Sequence, residues 1–129
     1  MRVNFLSIDE VVAIHRDQIE RYGGDPGVRD VGLLLSAVSM PQAAFEGELL
    51  HPNLYDMAAA YLFHIVSNHP FIDGNKRTGA VAAIVFLEVN GIELKPDEKG
   101  VERITKSVAD GSAMKKDLSD FLRSISATT

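Results

Sequence analysis

Two segments of this chain are apolar on nearly every helical face, and such helices can only sit inside a bundle of others. In the first, Leu54, Met57, Ala58, Tyr61, Leu62 and Ile65 repeat at the spacing of one helical stripe. Ala59, Ala60, Phe63 and Val66 fill the remaining faces, leaving no side suited to water. Asn53 can cap its start and Asp56 suits its first turn. His69-Pro70 ends it, because the residue before a proline is driven out of the helical region. The second segment, Lys76–Val89, repeats the pattern and stops at Asn90-Gly91. Gly79 and Ala80–Ala83 within it are small residues of the kind that close helix packing selects.

The remaining segments are amphipathic and supply the cover. Leu6-Ser7-Ile8-Asp9-Glu10-Val11 reads as a capping box with a hydrophobic staple. Ile8, Val11, Val12, His15, Ile19 and Tyr22 then follow at helical spacing until Gly23-Gly24. A second helix begins after Asp30, carries Leu33, Leu34, Ala37 and Val38, and ends before Pro41. Residues 41–52 read as an irregular, mobile flap. Ile92-Glu93-Leu94 reads as a short extended piece. One late helix holds Val101, Ile104, Thr105 and Val108 and stops at Gly111; another holds Met114, Leu118, Phe121, Leu122 and Ile125. The expected fold is all-α, one compact domain over residues 1–129 with about six helices.

Composition narrows the function. At 129 residues the chain suits one core, and 46% hydrophobic with 24% charged residues is a globular balance. The absence of cysteine excludes a disulfide scaffold, a zinc ribbon and a cysteine nucleophile. A net charge of −5 gives nucleic acid no global attraction, so only a local basic site could hold phosphate. The longest apolar run, Ala80–Leu87, is far short of the roughly 20 residues that span a bilayer. With no export signal after Met1, the expected location is cytoplasmic, with neither membrane nor nucleic acid as a partner.

The chemistry concentrates in His69-Pro70-Phe71-Ile72-Asp73-Gly74-Asn75-Lys76-Arg77, between the two apolar helices. A polar loop in that place is poorly explained by packing alone. The first N–H groups of a helix lack internal partners, and with the macrodipole they attract anions; Gly74 would let a phosphate approach them. Lys76 and Arg77 occupy that first turn, where a cation costs about 0.3–1 kcal/mol against the dipole. A polyanion at the site accounts for them: Arg77 can grip phosphate with two N–H groups and Lys76 adds a point charge. Asp73 offers a carboxylate, and Mg²⁺ is commonly held by one or two carboxylates plus substrate phosphates. His69 offers an imidazole, a side chain whose ordinary pKa of about 6.5 suits proton transfer near neutrality. Together these groups suit transfer of a phosphorus-containing group from a Mg-nucleotide to a hydroxyl.

The segment resembles the signature of the Fic family, and in particular its death-on-curing (Doc) toxin branch: His-Pro-Phe-x-Asp-Gly-Asn-Lys-Arg, with all eight specified positions present. Arg21-Tyr22-Gly23-Gly24-x-Pro26-Gly27 and Phe86-Leu87-x-x-Asn90-Gly91 are also similar to Doc proteins. The resemblance implies roles for the matching positions. His69 would be the general base on a target hydroxyl, and Asp73 would hold Mg²⁺. Gly74, Asn75 and Lys76 would line the phosphate site, Arg77 would bind phosphate, and Phe71 would anchor the loop in the core. ATP or another nucleoside triphosphate would be the co-substrate. Adenylyl-transferring members usually carry a second arginine where this chain has Ala80, and often glycine where it has Lys76. The family's reading of these departures is a reversed nucleotide that presents its γ-phosphate. The implied function is a toxin of a toxin-antitoxin pair that phosphorylates Ser or Thr of a protein, with translation factors as the target class. Glu46-Gly47 is the nearest match to the family's inhibitory segment, but Gln42 stands at its key position. Inhibition would therefore come from a separate antitoxin.

Three other readings stand beside this one. AMP transfer uses the same loop. A catalytically idle partner-binding module would not need His69 and Asp73. A metal-dependent hydrolase on His64, His69 and Asp73 lacks a credible ligand set, since about two or three more ligands would be needed. His15 on its apolar stripe and His64 in its buried helix read as satisfied core histidines. His51 lies at the end of the flap and carries no assigned role.

Overall fold

A computed structural model describes residues 2–128; Met1 and Thr129, the ends of the expected domain, lie outside the described residues. Its helices are α1 (Ile8–Tyr22), α2 (Val31–Ser39), α3 (Leu54–Asn68), α4 (Asn75–Val89), α5 (Glu98–Ala109) and α6 (Lys115–Ser124). The all-α reading and its helix order agree with this. α3 is the central rod, packed on α4, α6, α2 and α5, while α1 closes the far side of α4. One core cluster runs through them, built on Tyr61, Phe86, Phe71, Leu62, Ile65 and Leu118. Among the described residues no helix is long and apolar enough to cross a membrane.

Local chemistry explains the boundaries. At α1, Glu10 N–H donates to Ser7 Oγ (3.2 Å) and Ser7 N–H donates back to Glu10 Oε1 (2.9 Å), the expected capping box. Asp30, Asn53 and Asp97 cap α2, α3 and α5 through side-chain oxygens, and Asp117 accepts the Met114 N–H at the start of α6. The Tyr61 hydroxyl ties the N-terminal segment to α3 by accepting from Leu6 N (2.8 Å) and donating to Leu6 O (3.3 Å). Burial pushes that phenol up to about 12. The extended piece after Gly91 pairs with the chain end: Lys95 N–H donates to Ile125 O and Ala127 N–H to Glu93 O.

The flap differs from its expectation. Only residue 43 and residues 50–52 are irregular there: Met40–Gln42 form a 3₁₀ turn, and β1 (Ala44–Phe45) pairs antiparallel with β2 (Glu48–Leu49). Glu46 (φ 51°) and Gly47 (φ 82°) both take the left-handed region, as a tight hairpin turn of the primed type requires. Two-residue strands are too short to leave an alternation in the sequence.

The α3–α4 contact depends on Gly79. A Cβ there would lie 2.9 Å from Val66 Cγ2 and 3.2 Å from the Leu62 carbonyl oxygen, and a backbone atom cannot swing aside. Gly79→Ala is expected to lose about 1–2 kcal/mol of stability, since overpacking costs about 1–3 kcal/mol and alanine's helix propensity returns up to about 1. An unchanged or raised urea midpoint would refute the close approach.

A second cluster responds to acid. Lys115 Nζ donates to His51 Nε2 (3.1 Å) and His64 Nε2 (3.2 Å). Burial and then the Lys115 charge push His64 down to about 4, and the same causes lower His51. Burial also lowers His15. The unfolded chain takes up these protons near pH 6.5 and the folded chain only below that, so stability is complete above about 6.5 and drains as pH falls toward about 4. Urea midpoints measured from pH 7.5 to pH 4 are expected to fall, and His64→Gln is expected to reduce the slope. Equal slopes in the two proteins would contradict the assignment.

Candidate functional site

The signature loop hangs between the C-terminus of α3 and the N-terminus of α4, and its buried half sets the position of its exposed half. Phe71 is fully buried. It stacks on His15 of α1 with ring centroids 3.7 Å apart and planes within 6°. Asn75 clamps it from the other side, accepting from Phe71 N–H (3.0 Å) and donating to Phe71 O (2.9 Å). The Asn75 side chain is thereby consumed within the loop, and Gly74, not Asn75, is the N-cap of α4. What Asn75 brings to an anion is its backbone N–H.

His15 holds the next residue as well, its Nε2–H donating to Asp73 O (2.8 Å). Burial lowers its pKa and so favours the neutral ring, and the carbonyl acceptor places the ring proton on Nε2. The expectation of a satisfied core histidine therefore agrees with the structure, and the satisfying partner is the functional loop itself. The outer wall is residues 22–30. Ile72 N–H donates to Gly27 O (3.0 Å), and Arg29 and Asp30 N–H both donate to Pro70 O (2.7 and 3.0 Å). Asp25 N–H donates to Asp73 Oδ2 (2.7 Å). Gly24 stands against this carboxylate at φ 121°, where a Cβ would come within 3.1 Å of Asp73 Cβ.

His69 is the C-cap of α3 and takes the left-handed conformation (φ 52°, ψ 53°). That is an uncommon state for a residue with a Cβ, and it turns the exposed imidazole out of the helix line. His69, Asp73, Gly74, Asn75, Lys76 and Arg77 line one cleft of about 480 Å³, with Val66, Ile72 and Ala109 behind them. Every position expected to act on nucleotide thus converges on one surface. Size does not select it: a cleft of about 550 Å³ near α6 contains His51 and Lys115 but none of the signature. His51 and His64 belong to that side, so the hydrolase set of His64, His69 and Asp73 does not gather at one point.

One contrast among the six helices makes the start of α4 a candidate anion site. The start of α4 has no side-chain cap hydrogen bond and no acid in its first turn. Its leading N–H groups are left for a ligand. Lys76 is exposed and, among the described residues, neither it nor Arg77 forms an ion pair. Arg77 is already placed: Nη2 donates to Gly23 O (3.0 Å) and the guanidinium lies 5.2 Å from the Tyr22 ring centre.

Asp73 fits a magnesium ligand. Its Oδ2 takes the Asp25 N–H, while Oδ1 has no hydrogen bond among the described residues. No group of three acidic or imidazole side chains is assembled for a metal among the described residues. One hard carboxylate oxygen beside an anion site is the donor set of an ion that completes its shell with phosphate and water.

The sequence ties Tyr22, Gly23 and Gly24 to the site only through the family resemblance, and Asp25 and Arg29 carry no signal that places them there. Asp25-Pro26-Gly27 is a turn pattern, but nothing local says that a turn at residue 25 meets a carboxylate at residue 73.

Comparison with known proteins agrees with the geometry. The model of the Fic/DOC family matches residues 5–87. A protein named Toxin Doc, from Mycolicibacterium smegmatis, is 49% identical over 76 residues, 59% of this chain and 58% of that protein. This chain thus spans less than two thirds of that relative's length. A protein named Protein kinase doc, from Escherichia phage P1, is 33% identical over 118 residues, 92% of each.

Inorganic phosphate is expected to raise the melting temperature in a dose-dependent way, by about 2.7 kcal/mol of stability at a hundredfold excess over its Kd. Arg77→Glu is expected to remove that response. A shift that survives the charge reversal would place the anion elsewhere.

Proposed function

The chain belongs to the Fic/DOC family, and from that premise we propose that it is a Doc-like toxin that transfers the γ-phosphoryl group of a Mg-nucleotide to a Ser or Thr hydroxyl of a protein. The observation that carries the reading is the uncapped start of α4, with Lys76 and Arg77 in its first turn, in one cleft with His69 and Asp73. A relative named a protein kinase and another named a toxin support it.

Each role follows from placement. The N–H groups opening α4 receive phosphate oxygens, and Lys76 offsets their charge. Arg77 uses one N–H on Gly23 O and keeps the others for phosphate. Asp73 would hold Mg²⁺, which when bound supplies further charge neutralisation on the phosphates. His69 takes the proton of the acceptor hydroxyl. The hydroxyl oxygen bonds to the γ-phosphorus, the bond to the β–γ bridging oxygen breaks, and a nucleoside diphosphate leaves. One turn beyond Arg77 stands Ala80, so a second guanidinium to grip a different phosphate is missing. That favours γ-transfer over AMP transfer.

We place the protein in the cytoplasm, with a translation factor as the target class and an antitoxin acting in trans as inhibitor. Glu46-Gly47 supports a separate inhibitor, because these residues form the hairpin turn and are not part of a helix that could enter the cleft.

The test is incubation of the chain with cell extract and ATP labelled at the α or the γ position. Label from γ, with a gain of about 80 Da on the acceptor, is expected; label from α with about 329 Da identifies AMP transfer and overturns the kinase reading. His69→Ala is expected to lower transfer by about 10²–10⁴-fold and to relieve growth arrest on expression. Full toxicity of that variant would favour a binding module.

A further inference from the structure

Arg29 is exposed and far from the signature in sequence, yet three of its N–H groups meet three successive carbonyls around the base. Nε donates to His69 O (2.6 Å), Nη2 to Asn68 O (2.9 Å), and the backbone N–H to Pro70 O (2.7 Å). Asp30 N–H adds a second bond to Pro70 O (3.0 Å) while its carboxylate caps α2. The fork thus ties the residue just before the α2 N-cap to the end of α3. Asn68 Nδ2 completes the tie by donating to Leu33 O of α2 (3.1 Å).

We infer that Arg29 is the positioning residue of His69, holding the left-handed backbone that points the imidazole into the cleft. This rests on the reading of His69 as the general base. A guanidinium at a helix C-terminus would by itself be a stabilising cap, since it satisfies orphan carbonyls and meets the negative end of the dipole. Two features go further than capping. The residue capped is the base, and its left-handed state before a proline has no glycine to make it easy. The peptide planes on both sides of His69 are gripped from outside the helix, so Arg29 holds its φ and ψ, the two backbone torsions that set the direction in which the side chain leaves. A planar fork can reach two carbonyls at fixed spacing; an ammonium offers one point.

The experiment measures both turnover and backbone protection in Arg29→Ala, Arg29→Lys and wild type. Transfer is followed with whichever label, α or γ, the wild type uses. Arg29→Ala is expected to lower kcat by about tenfold or more through misplacement of the base, with the KM for nucleotide within about twofold. Arg29→Lys is expected to recover little, and added guanidinium, kept far below denaturing concentration, to restore Arg29→Ala but not His69→Ala. In the same proteins, amide exchange at His69, whose N–H bonds Ile65 O, is expected to quicken in Arg29→Ala while that of Leu62 in mid-α3 does not. Unchanged kcat with unchanged His69 exchange overturns the inference. So does a loss of activity matched by a rise in nucleotide KM or by faster exchange throughout α3, since either marks general damage. If the wild type transfers neither label, the proposed function fails, and the exchange result still decides whether Arg29 holds this backbone.

Discussion

Everything at the cleft depends on Phe71 being immobilised between His15 and Asn75. The ring is stacked on one imidazole and its peptide is bonded on both edges by one amide side chain. With Phe71 fixed, the residues on either side have little freedom: His69 lies two positions before it and Asp73 two after. A polar loop between two apolar helices would otherwise have no reason to keep one shape, because water competes for each of its hydrogen bonds. Burying one aromatic residue in the middle converts a flexible connection into a template with its chemistry on the outer side.

The same economy explains why α4 starts as it does. Five of the six helices begin with a side-chain oxygen bonded to a first-turn or N-cap N–H, and several carry acids there. α4 has Gly74, then cations, and no cap. Against the helix dipole this is locally unfavourable, by about 0.3–1 kcal/mol for each charge. The helix tolerates it because its stability comes from its length against α3 and α1, where Gly79 brings the backbones together and Ala82, Ala83 and Phe86 are fully buried. Packing is concentrated in the body of the helix, and the candidate anion site lies at its tip.

Distant parts of the chain finish what the signature begins. Residues 22–30 supply Asp25 N–H to the Asp73 carboxylate, Gly23 O to Arg77, and the Arg29 fork to the turn at His69. The first two are ordinary backbone groups, and only the Arg29 fork depends on the identity of its side chain. Each matters because α1 and α2 are packed so that the link between them lies along the loop, with Val28 bridging Phe71.

Much of this was legible from the residues alone, since periodicity, caps and breakers are local properties. The apolar faces of 54–68 and 76–89 imply a bundle, Ser7, Asp30 and Asn53 mark helix starts, and the misplaced Lys76 and Arg77 mark a candidate anion site, which the fold places in one cleft with His69 and Asp73. The hairpin at 44–49 was not legible, because two-residue strands carry no period and Glu46 gives no sign of a left-handed turn. Neither was the inward turn of Asn75, which a first-turn position leaves open. His15 shows why: its stripe predicts burial, but only the approach of α1 to the loop decides that its proton goes to Asp73 O. Sequence settles which groups are present and which helices carry them, through forces acting within a turn or two of chain. Which of those groups meet, at what distance and in which torsion, is decided by contacts between distant segments, such as His15 and Asp73, 58 residues apart, and those exist only once the core has closed.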